Sequence, residues 1–315
     1  MDFRTELKLT KSNVDINHQS KILMIGSCFS DNIGSHLQAA GINVQVNPFG
    51  TVFNSHSIHV QISKLIGRQK FTEILFDRNN HENFAFHYDV HSVFNHPEKE
   101  MVLQRLEKVI ADFHTDLKPV THCFITLGTS WVYEHLGTNK MVANCHKMPQ
   151  QLFAKRLLSV DQNTKLLSGT VDQLTAVYPN IKIIFTVSPV RHIKDGIVEN
   201  SRSKAILLES IHQLTQTNVF YFPAYELMMD DLRDYRFYAN DLIHPSSFAI
   251  SYIWEKFSSV YFNTQTIELI KKHENLSQLK NHRLMASDPL KISKHQQNIE
   301  QLEQELKGSQ SSVSD

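Results

Sequence analysis

Cysteine is scarce in this chain, with 3 among 315 residues. So small and odd a number cannot build a disulfide framework, so Cys28, Cys123 and Cys145 are expected as free thiols. That usage fits a reducing cytoplasm. Long apolar runs are missing as well: no stretch has the length of a membrane span. The opening MDFRTELKLTKSN has no signal-peptide core. A cytoplasmic protein with no membrane partner is the expectation. Charge of one sign is also missing, since Lys plus Arg number 32 and Asp plus Glu number 32. A balanced chain has no global attraction for nucleic acid, and no nucleic-acid partner is expected. Glycine is sparse, and Gly26 lacks the following glycines of a dinucleotide fingerprint. No acidic–histidine zinc-protease motif occurs, so neither cofactor nor metal is expected.

What is present is enough apolar residue, 41%, to bury a sizeable core. Short β-branched runs occur at Lys21–Ile25, Val44–Val46, Cys123–Leu127, Ile181–Val187 and Val219–Phe222. They are apolar nearly throughout rather than alternating, as in parallel strands covered on both faces. Helix-like stretches Ser30–Ala40, Val102–Phe113, Phe153–Tyr178, Ser203–Thr217 and Ser246–Phe262 lie between or after them. The alternation predicts a doubly wound, three-layer α/β/α fold with a mainly parallel five-stranded sheet. One domain spans about 20–262. Within it, about 49–97 reads as an inserted cap over the strand ends. Residues 263–307 read as a helical extension and 308–315 as a disordered tail. Assembly through the C-terminal helix is left open.

Ligands of such sheets bind beyond the C-terminal strand ends, and three motifs fall there. The first strand runs into Gly26–Ser27–Cys28–Phe29–Ser30 and then a helix, whose N-terminus lowers a thiol pKa and favours anions. Cys28 is the first candidate nucleophile and Ser27 the second. Late in the chain, Asp241–Leu242–Ile243–His244 spaces a carboxylate to orient an imidazole that takes a proton. At the third strand end, Gly128 permits close approach of a substrate, and Thr129 or Ser130 can donate to it. The amides of Cys28 and Gly50, with the Ser130 hydroxyl, form the expected oxyanion hole.

The block order resembles that of SGNH (GDSL-like) hydrolases. More closely, the sequence resembles the GSCFA family. That family is named for a Gly–Ser–Cys–Phe–Ala motif, here ending in Ser30. Gly128–Thr129–Ser130–Trp131, Val142–Ala143–Asn144–Cys145–His146–Lys147, Ser188–Pro189–Val190–Arg191–His192, Leu232–Arg233–Asp234–Tyr235–Arg236–Phe237–Tyr238 and Asp241–Leu242–Ile243–His244–Pro245 are similar to the same family. The resemblance implies the flavodoxin-like SGNH fold. Against the SGNH pattern, the serine position falls on Cys28 and the block-three asparagine position on Ser130.

Other residues are read as pocket lining. Asn144 and His146 adjoin Cys145; Arg191 and His192 follow the fourth strand, where an arginine can hold a carboxylate or phosphate. His87 and His91 have the spacing of a helical metal pair, yet Phe84, Phe86, Tyr88 and Val90 alternate as in a strand. His91 is read as facing the cleft. The sequence thus predicts an ester hydrolase or acyltransferase that forms a covalent acyl-enzyme. Its substrate would be a small molecule or an acyl group linked to a glycan or peptide. The alternative is a non-catalytic module that binds a glycan or peptide in the same cleft.

Overall fold

The computed structural model describes residues 5–77, 83–214, 216–281 and 289–311. At its centre stand strands β1 (Lys21–Gly26), β2 (Asn43–Val46), β5 (His122–Leu127), β9 (Lys182–Val187) and β10 (Val219–Tyr221). They pair in the order β10-β9-β5-β1-β2, every pair parallel. This is the flavodoxin-like order, and its chain reversal lies at β1 and β5. Successive residues of each strand enter opposite cores. Leu23, Ile25, Cys123, Ile125, Ile183 and Phe185 face one hydrophobic cluster; Ile22, Met24, Phe124 and Ile184 face the other. Both faces are covered, which is why the strands read as continuous apolar runs.

Helices α2 (Ser55–Ile66), α3 (Lys99–Asp112), α4 (Val160–Val177) and α5 (Ile197–His212) supply the first cluster. Helices α1 (Cys28–Ala39) and α7 (Ser247–Tyr261) supply the second. Between β10 and α7, the short α6 (Ala224–Glu226) continues into a π turn at Leu227–Asp231. A third, small cluster of Met228, Leu232, Tyr238 and Ala249 lies under the following loop.

Four sequence expectations are corrected. The segment 49–97 is not a cap throughout. Its first half is α2, whose Ile58, Ile62 and Leu65 are fully buried in the core. Its second half holds the antiparallel hairpin β3 (Leu75–Asp77) and β4 (Phe84–Phe86). Residues 153–178 are not one helix. They form β8 (Phe153–Leu157) and then α4, started by a Ser159–Gln162 capping box. With β6 (Trp131–His135) and β7 (Lys140–Val142), β8 builds an antiparallel sheet ordered β7-β6-β8. Helix α5 begins at Ile197, six residues before the predicted Ser203.

The fourth correction concerns the C-terminus, where α8 (Thr264–Asn281) and α9 (Pro289–Ser311) pack together. Residues 308–311 are therefore helical, and 312–315 lie outside the described residues. The His273 ring of α8 stacks on His18 at 5.2 Å. It also fills the space where a Gly41 side chain would stand.

Candidate active site

Cys28 is the first residue of α1, immediately beyond β1. Gly26 turns the chain there with φ +143, and a Cβ on it would lie 2.1 Å from the Thr126 carbonyl oxygen. Only glycine fits so close a strand end. The Gly26 N–H donates to Asn47 Oδ1 (2.8 Å), and Asn47 Nδ2 donates to Asp31 Oδ1 (2.7 Å). One asparagine thus ties the turn to the first turn of α1.

Ser27 is the helix N-cap. It is fully buried, and its Oγ accepts from the Phe29 N–H at 3.3 Å. Cys28 is half-buried. The amides of Cys28 and Phe29 at the helix N-terminus favour the thiolate. Burial and the Asp31 carboxylate outweigh them and raise the thiol pKa, while the Lys204 ammonium lowers it.

Asp241 and His244 form a closed unit. Asp241 Oδ1 accepts from the amides of Ile243 (2.9 Å) and His244 (3.0 Å), and Oδ2 lies 2.7 Å from His244 Nδ1. Leu242, at φ +58, makes the turn tight enough for all three contacts. Those bonds hold the Asp241 carboxyl down at about 2. With Nδ1–H donating to this carboxylate, Nε2 is left as the acceptor. Both side chains are exposed. The loop is fixed to the β9 strand end, where the Arg191 N–H donates to the Ile243 carbonyl at 3.2 Å.

His192 follows directly and is half-buried. Burial first, then the nearby Lys204, His244 and Lys155 side chains, lower it to about 4, so it is neutral at pH 7. Its Nε2 lies 2.9 Å from where a Gly128 Cβ would be. The ends of β1, β5 and β9, adjacent in the sheet, thus carry Cys28, Gly128 and His192 on one edge, with the His244 loop docked beside them.

Several expected roles change. Gly128 admits the His192 ring, and its amide and that of Thr129 both donate to the Phe53 carbonyl. Ser130 is fully buried and its Oγ donates to the Ser203 carbonyl (3.0 Å). A hydroxyl has one proton, so Ser130 has none left for an oxyanion. The Gly50 N–H likewise donates to the Asn47 carbonyl (2.7 Å); its missing side chain makes room for His91, whose Cβ would lie 2.2 Å away. Arg191 is packed against two aromatic rings. Its guanidinium lies 4.5 Å from the Tyr238 ring centre and 5.2 Å from that of Tyr235. His146 is buried at 2% exposure with Nε2 2.9 Å from the His87 carbonyl oxygen, and burial lowers it to about 4. Asn144 Oδ1 accepts the His146 N–H. These two bonds fix the loop after β7. Thr129 Oγ1 is bonded to Ser203 Oγ (2.9 Å).

Sequence reasoning missed Lys204 and a cleft on the small antiparallel sheet. Lys204 is 1% exposed, and its Nζ donates to the Ser188 carbonyl at 2.7 Å. Its signal was its place on the α5 stripe with Leu207 and Ile211, where a lysine is out of keeping. The cleft, of about 470 Å³, runs along the small antiparallel sheet between Tyr133, Phe153, Lys155, Lys147 and Lys194.

Among solved structures, the chain is similar to a carbohydrate esterase family 3 protein from Talaromyces cellulolyticus, at 12% identity and TM-score 0.36, covering 80% of this chain and 98% of that one. It is similar to an acetyl esterase mutant with acetate ion at 13% identity and TM-score 0.37, covering 80% and 98%. A carbohydrate esterase family 2 enzyme with a carbohydrate binding domain, from Corynascus thermopiles (Myceliophthora fergusii), matches at 10% identity and TM-score 0.37, covering 84% and 69%. No curated protein matches. The model of the GSCFA family matches residues 21–257, most of the chain, and the protein belongs to that family.

Proposed function

We propose that this protein hydrolyses or transfers acyl groups through a thioester on Cys28. The carrying observation is a thiol on a helix N-terminus and an aspartate-oriented histidine on one edge of the sheet. Ser27 is spent on the helix cap, which favours Cys28 over it as nucleophile. The Cys28 sulfur attacks the acyl carbonyl, forming a C–S bond as the ester C–O bond breaks. His244 takes the thiol proton at Nε2 and returns it to the leaving oxygen. Water or an acceptor hydroxyl or amine then gives its proton to His244 and attacks the thioester, and the thiol is restored. Asp241 keeps the imidazole in the working tautomer and stabilises its charged form. The amide of Cys28 is the oxyanion donor of this scheme.

The test is incubation with an activated ester such as p-nitrophenyl acetate, read by intact mass and peptide mapping. The expected result is one acetyl group on Cys28, absent in Cys28→Ala. Absence of any adduct on Cys28 with several acyl donors would overturn the proposal. One observation favours a binding module instead: burial and Asp31 raise the thiol pKa, which reduces its reactivity. The same experiment separates the two.

A further inference from the structure

The chain carries 32 basic and 32 acidic residues, yet one cleft departs from that balance. It encloses about 470 Å³ on the small antiparallel sheet. Its lining holds three lysines, Lys147, Lys155 and Lys194, against one carboxylate, Asp195. That carboxylate already pairs with Lys155. The lining therefore has a surplus of positive charge, and a concave wall of one sign focuses its field on whatever enters. The acyl chemistry proposed above uses none of these residues.

The floor follows from strand register. Tyr133 of β6 pairs with Lys155 of β8, and His135 with Phe153. Side chains directly opposite or two apart share a face, so Tyr133, Lys155 and Phe153 stand together. The Lys155 ammonium lies 5.0 Å from the Trp131 ring centre and 5.5 Å from that of Tyr133, and the aromatic faces hold it there. An ammonium has three protons. With one directed at Asp195, capacity remains for a second anion.

The walls are built as well. In the loop after β7, His146 (φ +49) and Lys147 (φ +58) are both left-handed. Residues with side chains keep that conformation only where their surroundings enforce it. Here the amides of Ala143 and Asn144 donate to the Tyr88 carbonyl (2.9 and 3.1 Å), and the Met148 amide donates to the Cys145 carbonyl (2.9 Å). The loop so held sets Cys145, Lys147 and Met148 on the cleft. The opposite wall is the 3₁₀ turn Ile193–Asp195, which follows β9 and brings Lys194. Lysines gathered from a loop, a strand and a turn repel one another unless an anion lies between them.

We propose that this cleft binds a small organic anion, a carboxylate- or phosphate-bearing molecule. Its apolar body lies against Tyr133 and Phe153, and its charge is met by Lys147, Lys155 and Lys194. The volume falls within the range of about 300–1,000 Å³ found for small-molecule sites.

Cys145 lines the cleft and reports on it. Burial raises its thiol to about 11, so alkylation with iodoacetamide is run at pH 9 and followed by peptide mass spectrometry. Benzoate and phenyl phosphate at millimolar concentration are the anionic probes, and benzamide is the uncharged one. At least one anion should slow Cys145 alkylation, and benzamide should not; whichever anion protects at lower concentration tells carboxylate from phosphate. Lys147 and Lys194 are exposed, so the double variant Lys147→Gln, Lys194→Gln should fold and need about tenfold more anion for the same protection, about threefold for each exposed pair. Failure of both anions to protect would overturn the proposal, as would equal protection by benzamide or an unchanged requirement in the double variant. Should Cys145 resist alkylation, isothermal titration of the same probes into wild type and double variant decides on the same outcomes. Neither readout involves turnover, so a protected Cys145 stands even if Cys28 accepts no acyl group.

Discussion

Asp241 accepts hydrogen bonds from two backbone amides and the His244 ring and is held at about 2. Its folded pKa is depressed, so the pairing persists at every pH above the ordinary carboxylate range and is lost only as pH falls towards 2. Asp241 therefore contributes no limb to the acylation profile at any pH above the ordinary carboxylate range. An Asp241→Asn variant should keep the turn but present an amide N–H to Nδ1, favouring the wrong tautomer. The Cys28 acylation rate should fall by about 10³–10⁴, and an unchanged rate by stopped-flow would show that His244 needs no orienter. Gly26→Ala is a structural counterpart, since a Cβ 2.1 Å from the Thr126 oxygen meets backbone that cannot step aside. A loss of about 3 kcal/mol or more in urea unfolding is expected. Cys28, Asp241 and His244 were legible because their chemistry is local: a strand–helix junction and a three-residue spacing. Ser130, Arg191 and His146 were not, because their partners Ser203, Tyr238 and His87 lie 47 or more residues distant in sequence.

Helix α2 tests how far its segment is core rather than lid. Ile58, Ile62 and Leu65 recur at helical spacing and are fully buried. Truncating Ile62 to alanine should lower unfolding free energy by about 2–5 kcal/mol, as for any core isoleucine. A loss under about 0.5 kcal/mol, typical of surface sites, would return the segment to the periphery. The five central strands could be read from sequence within about two residues, because burial on both faces leaves unbroken apolar runs. Strands β6, β7 and β8 escaped, for they are mostly half-exposed and carry Glu134, His135, Lys155 and Arg156. Helix α2 was hidden by its histidines and serines, two of which face partners on α4: His59 to Thr170 and Ser63 to Gln173.

At the scale of the whole molecule, acid is the predicted weakness. His56, His87, His122, His146 and His192 are each lowered to about 4, with burial the largest cause. A histidine kept neutral in the folded state contributes stability that is fully present above about pH 6.5. That contribution is lost as pH falls towards 4, because the unfolded chain binds the proton first. A shift of this size is worth on the order of 3 kcal/mol each, and several such losses exceed a typical total stability of about 5–15 kcal/mol. The urea midpoint should therefore drop steeply between pH 6.5 and 4.5, and a flat midpoint across that range would show these rings to be solvated. The parallel five-stranded sheet was readable from the alternation of strand and helix, whereas this acid sensitivity was not, since burial of a histidine is a property of the assembled core.

The thiol and the imidazole are moored to different masses of apolar side chains. Cys28 leads α1, which packs into the large second cluster. The His244 loop sits over Met228, Leu232 and Tyr238, with Tyr252 touching both groups and donating to Asp231 at 2.9 Å. Under the proposed function, the gap between thiol and imidazole is set by how these clusters meet across Tyr252, together with the Arg191–Ile243 hydrogen bond that ties the loop to the β9 end.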